Sequence, residues 1–252
     1  MKKFESYYDY QLVLSRHTLV PFLYKMGISL NGKHVLDVGC GEGGILSGLA
    51  SFFKFRGLGI DYDKDMISKC QRIPGISFEA GDFYTYDFRD SFDFILLRDV
   101  LEHSNYPAEM LARTSALLSP NGLAYITYTP YLSPFGGHQH NGSSFFANVP
   151  YIHFLPELLF LQLIRPRDTL YKTSQYLTDD LKRIRKTSLT TGRVKRICKQ
   201  HGLKVFHKKI SFIRPDYRYK FGLPEISMPA VLPLSTLFDP FCTAVELLVS
   251  KK

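Results

Sequence analysis

The stretch Val35-Leu-Asp-Val-Gly-Cys-Gly-Glu-Gly-Gly44 decides the fold. An apolar run that passes into closely spaced glycines reads as a buried strand, a turn and the start of a helix. Gly39, Gly41 and Gly44 satisfy G-x-G-x-x-G, a pattern in which backbone without side chains lets a ligand approach closely. Dinucleotide folds share that pattern, and Asp37 argues against one here. It stands two residues before the first glycine, where its carboxylate would lie near a pyrophosphate. A cationic ligand would be favoured there instead.

Working outward, apolar runs at 34–38, 55–60, 76–79, 92–97 and 123–129 suit buried parallel strands. Helical patterns separate them at 44–53, 64–72 and 107–118, and an amphipathic helix over 6–26 precedes them, with Gly27 as its stop. The alternation predicts an α/β fold: a Rossmann-like, doubly wound, mostly parallel sheet with helices on both faces. Ligands of such sheets bind beyond the carboxyl ends of the strands, so function belongs in the loops that follow them.

Three of those loops are acidic. Asp61-Tyr62 follows the second strand, and an acid there can accept both ribose hydroxyls. Asp82-Phe83 follows the third, offering a carboxylate to an adenine amine and a ring to its face. Arg98-Asp-Val-Leu-Glu-His103 follows the fourth. S-adenosylmethionine, with an ammonium, a sulfonium and no phosphate, suits a loop that carries Asp37.

Over 33–130 the chain resembles the class I S-adenosylmethionine-dependent methyltransferases. The resemblance implies that Asp37, Gly39, Cys40 and Gly41 wrap the methionine part, Asp61 and Tyr62 bind ribose, and Asp82 and Phe83 bind adenine. Arg98, Asp99 and His103 would line the cofactor and the floor of the acceptor site, with capping or packing as the other role open to His103. Asp63 and Asp65 read as helix N-cap or solvated loop acids. The resemblance also implies a helix at 190–201, a sixth strand at 202–213 and a last, antiparallel strand at 244–249, making seven. One domain over 1–252 would then comprise a helical segment 1–30, a cofactor core 31–130, a lid 131–189, and a remainder 190–252 with a proline-rich excursion at 222–241.

The lid begins with Ser133-Pro-Phe-Gly-Gly-His-Gln-His140, placing His138 and His140 after the fifth strand, where either could serve an acceptor as general base. Their spacing also permits metal binding, but no Cys or Asp/Glu cluster stands beside them, so no metal is expected. His153, within Pro150-Tyr-Ile-His-Phe-Leu-Pro156, reads first as a packing residue. These two lid segments are similar to those of methyltransferases of bacterial glycan and natural-product biosynthesis.

The 252 residues carry a net charge of +9, and it is local. Residues 160–220 hold 17 Lys and Arg against 4 Asp and Glu, leaving the rest mildly acidic. Lys182-Arg-Ile-Arg-Lys186, with Tyr171, Tyr176 and Tyr217 nearby, would suit an anionic acceptor, a membrane surface beside the apolar 154–164 segment, or RNA. Arg193 to Lys199 read as a solvated helix face. No catalytic Asn-Pro-Pro-Tyr-like motif is present, since Tyr128-Thr-Pro-Tyr131 does not replace one. The expectation is therefore methylation, most simply of a hydroxyl, on a biosynthetic small molecule or a glycan or lipid-linked precursor. An RNA methyltransferase and a non-catalytic cofactor-binding protein are the alternatives. Cys40, Cys70, Cys198 and Cys242 are too widely spaced for a metal knuckle, and the opening residues, including Lys2 and Lys3, lack a signal sequence. A cytoplasmic location follows as an expectation, with contact to the inner membrane surface left open; oligomeric state is not legible.

Overall fold

The computed structural model describes residues 4–168, 173–228 and 235–251. Lys2, Lys3, Tyr171 and the prolines of 229–234 lie outside them. Strand β1 (His34–Val38) is central because Val35, Leu36 and Val38 are all buried, as a strand covered on both faces requires. It pairs in parallel with β2 (Arg56–Asp61) and β4 (Phe92–Arg98), while β3 (Ile76–Ala80) pairs with β2 and β5 (Leu118–Tyr128) with β4. The last strand, β8 (Ala244–Lys251), runs antiparallel between β5 and β6 (Leu203–Ile213).

The order is β3-β2-β1-β4-β5-β8-β6-β7. An eighth strand, β7 (Ile226–Ser227), corrects the expected seven: it pairs with β6 at Ser211 and Ile213 and so covers what would have been a bare edge. Two residues are too short to show a strand period in sequence. The fold remains mostly parallel and doubly wound, with one core on each face of the sheet.

The N-terminal helical stretch forms as α1 (Tyr7–Leu14), a π-helical turn (Ser15–Leu19) and α2 (Val20–Lys25). Pro21, which cannot donate to the carbonyl four residues back, stands beyond the π turn with one residue, Val20, between. Beyond β1, α3 (Gly44–Ala50) packs against α1 at very short range. A Cβ at Gly44 would lie 2.4 Å from the Tyr8 carbonyl oxygen, and one at Gly48 2.4 Å from the Ser15 Cβ. Ser15 uses that proximity to donate to the Ile45 carbonyl at 2.8 Å.

Helix α4 (Lys64–Ser68) is capped by Asp63, whose carboxylate accepts from the Asp65 and Met66 amides. It ends four residues before the expected 72, because Ile73 turns back through Pro74-Gly75 to pair with Ile76. Helix α5 (Pro107–Leu117) leads into β5. The segment between β5 and β6 holds short 3-10 turns, then α6 (Glu157–Ile164), α7 (Ser174–Thr187) and α8 (Thr191–Gln200). Ile152, Phe160, Ile164 and Leu181 give this segment a small core of its own. Helix α9 (Tyr217–Phe221) follows β6. Among the described residues, no helix is long and apolar enough to cross a membrane.

Gly48→Val should push the π turn and the end of α1 away from α3, because its Cβ has backbone-anchored Ser15 in the way and the Leu12 carbonyl close by. Overpacking of this kind costs about 1–3 kcal/mol. Thermal unfolding should show a lower midpoint; an unchanged one would contradict the tight α1–α3 contact.

Candidate active site

At the carboxyl ends of β1, β2, β3 and β4 the loops enclose a cavity of about 900 Å³, near the top of the usual range for small-ligand sites. The glycine loop forms one wall. Gly39 and Cys40 donate to the Ile60 carbonyl at 2.8 and 3.1 Å, and Gly41 donates to Asp61 Oδ2 at 2.9 Å. Gly39 and Gly41 have φ of 71° and 55°, and a Cβ at Gly39 would meet Val100 Cγ2 at 2.7 Å. Only glycine meets both demands at little cost.

Gln11, buried in α1, grips this loop with both ends of its amide: Nε2 donates to the Cys40 carbonyl at 2.9 Å and Oε1 accepts from Gly44 at 3.2 Å. Glu42 accepts from the Tyr8 amide at 2.7 Å. The N-terminal helix is thus part of the site, and Tyr7 and Tyr10 line the cavity.

Gly39, Gly41, Asp61, Tyr62, Asp82, Phe83, Asp99, His103, His138 and His140 all face this one cavity. Asp61 Oδ1 accepts from the Asp63 amide at 3.0 Å, so backbone donors hold both carboxylate oxygens in place at the cavity. Asp82 accepts from the Tyr84 amide at 2.8 Å, and Phe83 is nearly buried. Three expected contacts stand elsewhere. Cys40 contributes backbone only, since its buried thiol turns towards Cys70 and Gly59. Arg98 points away from the cavity, as alternation along β4 requires, and lines a small void with Tyr125, Thr127 and Glu246. Asp37 lies behind the wall, its Oδ2 buried and without a hydrogen-bond partner among the described residues. Desolvation raises its pKa to about 7, with Arg98 opposing.

The far wall comes from the later third of the chain. Arg214 bonds Asp99 at 2.6 Å and Asp216 at 2.5 Å, while Lys220 and the Tyr10 hydroxyl also reach Asp216. Against its own desolvation, Asp99 is held down at about 2 by Arg214 and then Arg98. Asp99 and His138 are both non-glycine residues at positive φ, 53° and 52°. Helix α7 closes over the top: the Tyr176 and Tyr62 hydroxyls bond, Thr187 donates to the Ser104 carbonyl at 2.7 Å, and His103 Nδ1 meets Asp180 Oδ1 at 2.9 Å.

The two lid histidines differ in setting. His138 is nearly buried with its ring 4.8 Å from that of His103 and 5.5 Å from that of His140. His140 opens to the cavity, where desolvation, joined by Lys220 and Arg214, pushes its pKa below the usual imidazole range. His153 packs instead, its Nε2 2.8 Å from the Tyr131 carbonyl and its ring against Tyr131 and Phe154. Glu102, which the sequence reading did not single out, lines the cavity and is 2% exposed. Its Oε1 accepts from the Thr129 amide at 2.9 Å, and desolvation followed by the charge of Asp99 raises its pKa to about 7.

Residues 36–126 match the family model described as a methyltransferase domain. The chain is 35% identical over 107 residues to a phthiotriol/phenolphthiotriol dimycocerosates methyltransferase of Mycobacterium ulcerans, covering 40% of this chain and 39% of that one. It is 34% identical over 107 residues to a ubiquinone biosynthesis O-methyltransferase of Coxiella burnetii, covering 40% and 45%. The plantazolicin methyltransferase BamL, solved with a triazolic desmethylPZN analogue and S-adenosylhomocysteine, superposes over 98% of this chain and 86% of its own at a TM-score of 0.56 and 18% identity. That likeness establishes the fold. Residues 36–126 are thus a methyltransferase domain of the class I S-adenosylmethionine-dependent superfamily. The matched part is less than half the length of these two curated relatives.

S-adenosylmethionine is the cofactor of this superfamily, and the residues present fit it. Asp37 Oδ2, buried and without a hydrogen-bond partner among the described residues, suits a cationic ligand, and the glycine wall leaves room only if no side chain fills it. Asp37 must be ionised to favour that cation, so cofactor affinity should rise with pH up to about 7, by as much as tenfold per pH unit, and then level off. Calorimetry across pH should show this slope in the wild type and lose it in Asp37→Asn; an equal slope in both would remove Asp37 from the coupling.

Proposed function

We propose that the protein transfers the methyl group of S-adenosylmethionine to an oxygen of a small biosynthetic acceptor or a glycan or lipid-linked precursor. One observation carries the reading: the glycine wall with Asp61 and Asp82 and the histidines His138 and His140 share a single cavity, large enough for two ligands side by side. When bound, the cofactor supplies a methyl on a sulfonium, open to direct displacement. The chain must then align, shield and deprotonate. Backbone at Gly39 and Gly41 would receive the methionine part, Asp37 its ammonium from behind, Asp61 and Tyr62 the ribose, and Asp82 with Phe83 the adenine. His103 and Asp99 would lie between the two ligands. His138 and His140 would contact the acceptor, and an uncharged His140 keeps a lone pair available for its hydroxyl proton.

The name of the Coxiella relative supports an oxygen acceptor. The apolar surface of the lid, where Phe145, Phe154 and Leu158 stand exposed, supports one with an apolar portion presented at a membrane. An RNA acceptor has less support: among the described residues of the basic stretch, only Arg183, Arg214 and Lys220 line the cavity, while Lys182 and Lys186 face solvent on α7.

The direct test is mass spectrometry of metabolite extracts incubated with the protein and methyl-labelled cofactor, seeking a labelled product. The His138→Ala, His140→Ala double variant should lose about 10²–10⁴-fold in turnover, as expected for removal of proton transfer, while still binding S-adenosylhomocysteine. Full turnover on the labelled acceptor would exclude both histidines. RNA binding that weakens steeply with salt and with neutralised Lys182 and Lys186 would shift the reading to RNA.

A further inference from the structure

We propose that Glu102, His103 and His138 form a binding site for a divalent first-row transition ion at the floor of the acceptor side. Each offers one ligand atom, and the three atoms lie within 4.8 Å of one another. An ion held at 2.0–2.2 Å places its ligands roughly 3.3 Å apart, so small side-chain rotations complete the set. Neighbouring residues in the sequence do not signal this cluster, because His138 comes from the loop after β5 and the other two from the loop after β4.

Two further observations point to a ligand. Glu102 Oε2 is buried and has no hydrogen-bond partner among the described residues, although its other oxygen is fixed by the Thr129 amide. A buried carboxylate oxygen left in this way is costly unless a cation or proton meets it. His103 is oriented from outside by Asp180, itself 1% exposed, through Nδ1. A carboxylate behind a histidine in this manner is the arrangement that fixes tautomer and ring direction in metal sites.

Two imidazoles and one carboxylate select zinc, iron, cobalt or manganese over calcium or magnesium, which prefer oxygen throughout. Three protein ligands leave at least one position open, as catalytic rather than structural sites do. The open position faces the cavity that Glu102, His103 and His138 all line. The catalytic part of the proposal rests on the methyl-transfer reading above. An acceptor hydroxyl bound there would give its proton to His140 more readily, and its oxygen lone pair would form the new bond to the methyl carbon. The carbon–sulfur bond breaks as that bond forms, and its electron pair stays on sulfur as a neutral thioether.

The test uses the full chain stripped with a chelator, then titrated with Co²⁺ followed by optical spectroscopy, and with Zn²⁺ and Mn²⁺ by calorimetry. S-adenosylhomocysteine binding is measured on the same samples. One ion per chain should bind, with a ligand-field spectrum of nitrogen and oxygen donors. Glu102→Gln and His138→Ala should each weaken binding at least tenfold, and Asp180→Asn about 10–100-fold through His103, all with S-adenosylhomocysteine binding retained. No ion taken up by a wild type that binds S-adenosylhomocysteine, equal uptake by the variants, or a thiolate charge-transfer band from the cysteines would each overturn the site. Ion binding without any affinity for S-adenosylhomocysteine would leave the metal site standing and remove the cofactor reading instead.

Discussion

The backbone of residues 39–43 is the constraint on which the site depends. Three of its glycines sit at positive φ, a conformation that gains nothing from its own side chains and must be held from outside. Three neighbours hold it: the Ile60 carbonyl from β2, the Asp61 carboxylate, and the Gln11 amide from α1. The close α1–α3 contact follows from the same loop, since Gly44 closes the glycine pattern and also admits the Tyr8 carbonyl. One short segment therefore couples the sheet, the first helix and the ligand wall.

The lid is joined to the floor by a second set of bonds with a different character. Helix α7 reaches the loop after β4 through Thr187 to Ser104, Asp180 to His103 and Arg183 to His103. These are polar contacts, with Ser104, Asp180 and Thr187 buried, whereas among the described residues the lid's own apolar core is only a few residues. The cavity wall contributed by the lid is thus held mainly by hydrogen bonds and charge, a type of contact that can open locally without disturbing the two cores of the sheet.

The sheet was legible in sequence because strands buried on both faces read as continuous apolar runs, although β3, expected to be buried, is a half-exposed edge strand whose Ile76 and Phe78 alternate with exposed residues. Loop positions after strands were legible for a related reason, and Gly39, Gly41, Asp61, Asp82 and Asp99 do converge on one cavity. What sequence could not show was direction and distance. Arg98 is adjacent to Asp99, but its side chain leaves on the other face of the strand, where it balances buried acids instead. Gln11 acts on residues 29 and 33 positions away, and no local pattern marks it. Glu102 was hidden beside a noticed histidine, because only its burial and its missing partner distinguish it from a solvated acid.

The basic excess changes meaning once each charge is located. Helix α8 spends Lys195, Arg196 and Lys199 on its exposed side, and Arg193 on the Thr187 carbonyl, while Val194, Ile197 and Cys198 are buried, so most of these charges belong to solvent, as their spacing suggested. Of the basic groups that line the cavity, Arg214 and Lys220 are already matched by Asp99 and Asp216. A cluster compensated in this way attracts an anionic acceptor less than the net charge implies, because the local field is a sum over both signs. Charge therefore argues less for an anionic substrate than for a rigid cavity wall, with Asp99 and Arg214 tying the loop after β4 to the end of β6.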